Sequence, residues 1–266
     1  AEKKERKEIR QVNNDLEHIG EVIKNLRPKS SGKALSDESG GDEQYTCPIC
    51  RDIHFVHPLK EDGKCDYSAI VSCVCVQEQM EKERAQRLLR YCELPAGTAH
   101  MTFENFKVSP ELQEAYDLAV QVAEEKVLRL TLLSGVNRGK THLIIAICRH
   151  WLQLGKPARY AYVPLLFEEL RRGFREEGDR SYEARFDRFL NVPLLVLDDL
   201  GAEHRTPWVQ EKLDTIIDHR IIQGLPLVVA TNIPLDKLHF RIKSRLKRAG
   251  RVVVIDAPEF RKTKKK

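Results

Sequence analysis

Between Arg129 and Leu143 an apolar strand pattern, Arg129-Leu130-Thr131-Leu132-Leu133, runs into Ser134-Gly135-Val136-Asn137-Arg138-Gly139-Lys140-Thr141 and continues as a helical pattern. A strand that ends in a Gly-Lys-Thr turn and reverses into a helix aims backbone N–H groups and the positive end of the helix dipole at one point, the geometry that holds a triphosphate. In that reading Lys140 reaches the β- and γ-phosphates and the Thr141 hydroxyl ligates Mg²⁺. The stretch follows G-x-x-x-x-G-K-[ST] with two departures: Ser134 stands at the first glycine position, and Asn137 stands where a middle glycine is common. Ser is small, and Asn is one of the few side chains that tolerates a left-handed backbone, so both remain compatible with a phosphate loop. Gly-Lys-Thr also occurs in ordinary turns, so the sequence that follows decides.

Leu194-Leu195-Val196-Leu197-Asp198-Asp199-Leu200-Gly201 reads as a buried parallel strand that delivers two carboxylates at its C-terminal end. Ligand chemistry in open α/β sheets sits at that end. Asp198 is placed to hold the Mg²⁺ hydration shell, and Asp199 to orient or polarise an attacking water. A further apolar strand, Leu225-Pro226-Leu227-Val228-Val229-Ala230, ends in Thr231-Asn232, so Asn232 stands ready to sense the γ-phosphate or serve as a simple turn former. Arg241-Ile242-Lys243-Ser244-Arg245-Leu246-Lys247-Arg248 then sets Arg241 and Arg245 on one helical face, suited to an arginine finger, a solvated basic face or a nucleic-acid contact.

These features, in this order, resemble the AAA+ ATPases of the DnaC/DnaI helicase-loader and IstB transposition-helper group. The resemblance runs from about Leu94 to Arg261 and includes His142 directly after Thr141 and the upstream Thr102-Phe103-Glu104-Asn105-Phe106. It implies an α/β fold, a P-loop NTPase of the AAA+/ASCE type, with a three-layer αβα core around a parallel sheet. It implies ATP-binding residues Ser134, Gly135, Asn137, Arg138, Gly139, Lys140, Thr141, His142 and Asp198, with Thr141 and Asp198 on magnesium. Catalytic roles fall to Lys140, Asp199, Asn232 as sensor I, Arg241 as finger and Arg245 beside it. It further implies a ring- or spiral-forming homo-oligomer, contact with single-stranded or duplex DNA, and a replicative helicase or transposase-type partner. Asp199 departs from the Glu that many related ATPases carry at the second acidic position.

Seven cysteines in a chain without a secretory pattern argue for metal or free thiols before disulfides. Cys47-Pro48-Ile49-Cys50 and Cys73-Val74-Cys75 are two thiol pairs able to converge on one tetrahedral Zn²⁺, and the intervening segment holds too little apolar material to fold on its own core. Cys65, His54 and His57 lie between the pairs as substitutes for one ligand. Cys92 and Cys148 fall in helical patterns as packing thiols.

Apolar residues at three- and four-residue steps predict an amphipathic helix over 1–27, and Ser, Gly and charged residues predict a flexible linker over 28–44. A small zinc-binding module with its connecting helix is expected over 45–93, the ATPase domain over 94–260, and a basic tail over 261–266. The N-terminus has no apolar signal-peptide core, and no apolar run of membrane length occurs, so the chain is expected to be cytoplasmic, with no membrane partner. A formal charge of +5 is compatible with nucleic acid without demanding it. Arg171, Arg172 and Arg175 on a helical insert are the DNA candidates, and Phe103 and Phe106 are candidates to flank adenine or to pack. Three functions stay open: an ATP-dependent loader or recruiter on DNA, a non-hydrolysing nucleotide-dependent scaffold whose zinc module grips a partner, and a small-molecule kinase. The arginine box and the cysteine pairs, which a kinase does not need, weigh against the last.

Overall fold

The strand patterns that lead into Ser134, Asp199 and Asn232 belong to one five-stranded parallel sheet in the computed structural model, which describes residues 45–60, 63–204 and 206–260. The amphipathic helix, the linker and the basic tail expected at 1–27, 28–44 and 261–266 lie outside the described residues.

The chain divides into two compact units, Ala1–Arg87 and Leu88–Lys266. Among the described residues, the first holds an antiparallel pair, β1 (Phe55–Val56) and β2 (Val71–Ser72), and the start of helix α1 (Val74–Cys92), which ends in the second unit. None of the described helices is long and apolar enough to cross a membrane.

The second unit alternates strands and helices. After α2 (Gln113–Ala123) come β3 (Arg129–Leu133), α3 (Lys140–Gln153), β4 (Ala158–Tyr162), α4 (Val163–Gly173) and α5 (Tyr182–Asn191). Then follow β5 (Leu194–Asp198), α6 (Pro207–Ile222), β6 (Leu227–Thr231), α7 (Phe240–Ala249) and β7 (Arg251–Val254). The chain enters α2 through a 3-10 turn over Pro110–Leu112, and α2 ends at Ala123. Glu125 turns left-handed at φ 62°, and the Lys126 amide bonds back to the Gln121 carbonyl, which closes the helix.

Strand order is β4-β5-β6-β3-β7, with every neighbouring pair parallel. Successive side chains of a strand point to opposite faces, so a strand covered on both sides must be apolar throughout. In β5, Leu194 and Val196 join the cluster containing Leu143, Ile147 and Trp151 of α3, while Leu195 and Leu197 join the one containing Phe167 of α4 and Leu213 of α6. The result is three layers, with α2 and α3 on one face and α4 to α7 on the other. Arg220, fully buried near the end of α6, donates to the carbonyls of Phe189, Leu190, Val192, Pro193 and Pro226, tying the approach to β5 and that to β6 to one helix. Burial pulls its pKa down to about 9. The C-terminal ends of β3, β5 and β6 meet at one edge, where the site lies.

Candidate functional site

The loop after β3 is shaped by two left-handed residues, Asn137 at φ 57° and Gly139 at φ 89°. Asparagine is one of the few side chains that accepts this geometry at modest cost, so position 137 adopts it without a glycine. Gly139 has no such latitude: a Cβ there would lie 3.1 Å from Cε2 of Phe106. Ser134 is not left-handed, so its side chain is tolerated, and its hydroxyl is used.

Lys140, at the first turn of α3, is buried; its ammonium donates to Ser134 O at 3.0 Å, Ser134 Oγ at 2.9 Å, Gly135 O at 2.7 Å and Asn232 Oδ1 at 2.8 Å. Burial lowers its pKa, and the negative charges of Asp198 and Asp199 oppose that shift.

Strand order explains why Asn232 belongs here. β6 lies between β3 and β5, so Asn232, the residue just past its end, sits between the loop lysine and the acids. Asn232 Nδ2 donates to Asp199 Oδ1 at 2.5 Å while its Oδ1 accepts from Lys140. Asp199 is itself left-handed at φ 60°, turning its carboxylate out of the strand line. Asp198 stays buried, and its Oδ2 accepts from Thr141 Oγ1 at 3.2 Å and from Tyr160 OH at 2.8 Å. Burial raises the Asp198 pKa, with Asp199 adding to the rise, and the Tyr160 and Thr141 hydrogen bonds counter it.

Two site residues escaped the sequence reading. Tyr160 and Tyr162 share one face of β4, and Tyr162 OH lies 3.4 Å from Asp199 Oδ2. Burial raises both phenols. Their signal was the two-residue spacing in Arg159-Tyr160-Ala161-Tyr162, but only the pairing Tyr162↔Asp198 puts β4 beside the acids.

Lys140, Thr141, Asp198, Asp199 and Asn232 line a cleft of ≈ 760 Å³. The same cleft is lined by His100, Met101, Asn105, Phe106, Lys107 and Phe260. His142 lies in this wall with Nε2 donating to Thr102 O at 2.8 Å, and its ring meets Phe106 edge-on at 5.0 Å. Burial lowers its pKa against the raising effect of the Thr102 bond. Of the two phenylalanines singled out in the sequence, Phe106 lines the cleft, whereas Phe103 packs on Tyr116 and His150.

The two arginines of α7 differ. Arg245 is ion-paired with Asp218 of α6, while Arg241 is exposed, its guanidinium carbon 5.9 Å from the Phe240 ring centroid. Arg171 pairs with Glu168 and lies over the Trp208 ring at 5.5 Å. Beside it Phe174, 60% exposed, stacks on Tyr182 at 4.5 Å, and Tyr182 stacks on Phe186 at 5.6 Å. Arg172 lines a smaller cleft with Glu93, Glu168, Glu169 and Arg185, and Arg175 is exposed.

In the first unit, the sulfurs of Cys47, Cys50, Cys73 and Cys75 all lie within 4.8 Å of one another. The Cys47–Cys73 and Cys50–Cys75 separations are 3.8 and 3.6 Å. Tetrahedral zinc with Zn–S bonds of about 2.3 Å sets sulfurs roughly 3.8 Å apart, so the donor set and spacing fit that ion. Left-handed Arg51, Asp52 and His54 turn the chain after the first pair, and Asp52 accepts from the Thr46 and Cys47 amides. Hydrogen bonding at the Cys50 and Ile49 backbone lowers Cys47 to about 7. Of the open substitutes, His54 Nδ1 lies 4.0 Å from the Cys75 sulfur, His57 Nδ1 is engaged with Ala69 O at 2.8 Å, and the Cys65 backbone pairs with that of Leu59 in an isolated antiparallel bridge.

Compared with known proteins, residues 55–246 match the family described as IstB-like ATP binding protein. The replicative helicase loader DnaI of Bacillus subtilis (strain 168) is 32% identical over 221 residues, covering 77% of this chain and 70% of that protein. The replicative helicase loader DnaC of Escherichia coli (strain K12) is 28% identical over 141 residues, covering 52% of this chain and 57% of that protein. The crystal structure of DnaI aligns with a TM-score of 0.53 at 23% identity, over 64% of this chain and 95% of that one, and shares the fold.

Proposed function

The chain belongs to the IstB-like ATP-binding protein family, and from that premise we propose that it is an ATP-dependent, DNA-associated AAA+ ATPase that loads or recruits a replicative helicase. One observation carries the reading: a single hydrogen-bonded path, Lys140 to Asn232 to Asp199, spans from the phosphate loop to the second acid at the strand edge.

In this reading the amides of 135–140 and the Lys140 ammonium hold the β- and γ-phosphates, which is the work that a left-handed turn at a helix N-terminus is built for. Thr141 Oγ1 and Asp198 Oδ2, already adjacent, are the protein oxygens for magnesium, which supplies charge neutralisation on the phosphate oxygens when bound. Asp199 orients the water that attacks the γ-phosphorus as the bond to the ADP oxygen breaks, and Asn232 holds that carboxylate in place. Arg241, exposed on α7, is the residue to reach the γ-phosphate held by a neighbouring copy; Arg245, tied to Asp218, positions the helix that carries it. The Phe174–Tyr182–Phe186 stack with Arg171 offers aromatic faces and positive charge suited to single-stranded DNA. The four-cysteine cluster, folded around zinc, serves as the partner-binding module of a cytoplasmic protein.

The alternative of an IstB-like transposition helper shares every residue of this site. The helicase-loader reading is favoured by the identity to DnaI, 32% over 77% of this chain. Phosphate release measured with ATP alone, with single-stranded DNA, and with a replicative helicase tests the proposal. Turnover that rises with DNA and helicase and vanishes in Lys140→Ala supports it. Bound ATP without turnover under all three conditions leaves a scaffold instead.

A further inference from the structure

The segment after β7 returns to the phosphate loop and is fastened there at three points. The Ile255 amide donates to Leu133 O at 2.8 Å, Arg138 Nη1 pairs with Asp256 Oδ1 at 3.0 Å, and the Phe260 amide donates to Asn137 O at 2.9 Å. One amide bond falls on the last residue of β3, just before the loop, and the other on the left-handed Asn137 within it. Phe260 is thereby set over Gly139, where an added Cβ would come within 3.2 Å of its ring, and its centroid is 6.2 Å from that of Phe106.

With its backbone fastened, Phe260 remains 48% exposed and borders the same cleft as Lys140 and Asn232. An aromatic ring left half in water on a fixed backbone loses little conformational freedom when a flat ligand covers it. The phosphates are accounted for by the loop and Lys140, and the cleft at ≈ 760 Å³ exceeds what they fill. The cleft is also lined by Met101, Phe106 and Phe260, with the polar His100, Asn105 and Lys107 among them.

We propose that Phe260, held on the phosphate loop by the segment Ile255–Phe260, is a nucleobase-contacting residue whose ring forms, with Phe106, the aromatic wall against which the purine of the bound nucleotide lies. This rests on the ATP-binding reading of the cleft and adds to it a residue from beyond the last strand. Base contact and phosphate contact are then carried by two adjoining parts of one fastened unit.

The test compares ATP with inorganic tripolyphosphate, which offers the same phosphate chain without a base. Both are titrated calorimetrically into the full chain, into Phe260→Ala and into Phe260→Leu, the last keeping an apolar plug on Phe106 and Gly139. Stacking of one base on an aromatic ring predicts about tenfold weaker ATP binding in both variants with tripolyphosphate binding unchanged. Unchanged ATP affinity in both variants overturns the proposal, as does an effect confined to Phe260→Ala, which would mean that the ring only fills space. Equal loss of ATP and tripolyphosphate also overturns it, because Phe260 would then act on the loop alone. Failure of the underlying reading looks different: the unsubstituted chain and Lys140→Ala would bind ATP equally poorly.

Discussion

Asn232 donates from Nδ2 to Asp199 Oδ1 at 2.5 Å and at the same time accepts at Oδ1 from the Lys140 ammonium. Only one orientation of the amide satisfies both neighbours, since reversal would turn a donor toward the ammonium and an acceptor toward the carboxylate. Lysine and acid are thus held in register by a side chain that titrates with neither.

Asn232→Ala removes that link while leaving the loop amides, Lys140 and Thr141 intact. ATP binding is expected to stay within about threefold of the unsubstituted chain while turnover falls about a hundredfold, the scale for losing one positioned polar group in a reacting site. Calorimetric ATP titration and a phosphate-release assay read the two effects separately; parallel losses in both would show that Asn232 serves binding.

Tyr160→Phe deletes a hydrogen bond that favours the ionised form of Asp198. Burial already raises this acid, so losing the bond raises it further. If the carboxylate is the working form, activity falls as pH drops through its pKa, and the variant's acid limb lies at higher pH than that of the parent. A kcat/KM profile across the acidic range checks the direction, and an unmoved or lowered limb contradicts it.

Arg241→Ala and Arg245→Ala separate the two arginines of α7. The first is expected to keep the melting temperature and ATP affinity but to lose turnover by about 10³-fold, as when a finger is withdrawn. The second breaks the pair with Asp218 and is expected to lower the melting temperature by a few degrees, roughly 1 kcal/mol for a partly exposed pair. Equal behaviour of the two would remove the distinction.

Zinc removal should act on one unit only. Elemental analysis is expected to find stoichiometric zinc in the purified chain, lost in Cys47→Ser and Cys73→Ser but retained in Cys65→Ser and His57→Ala. Chelation should abolish the folded signal of residues 45–87 in amide exchange and leave protection of the β5 and β6 amides intact, because the metal supplies the folding energy of a segment that has little core. Zinc content unaffected by Cys73→Ser would point to a different ligand set.

The chain's chemistry was legible where it is local. The strand-to-helix turn at Gly139-Lys140-Thr141, the acids closing an apolar run at Asp198-Asp199, the amide at Asn232 and the paired thiols each announce themselves within a few residues, because strand burial and turn geometry are short-range demands on sequence. Strand order is not such a demand. That β6 intervenes between β3 and β5, that β4 presents Tyr160 and Tyr162 to the acids, that Arg245 meets Asp218 while Arg241 faces outward, and that Phe260 comes back over Gly139 are all consequences of contacts between distant segments. Periodicity within an element says which face is buried but not which neighbour covers it. Packing of the whole sheet and its helices settles that, and with it which of the candidate residues stand within reach of one another.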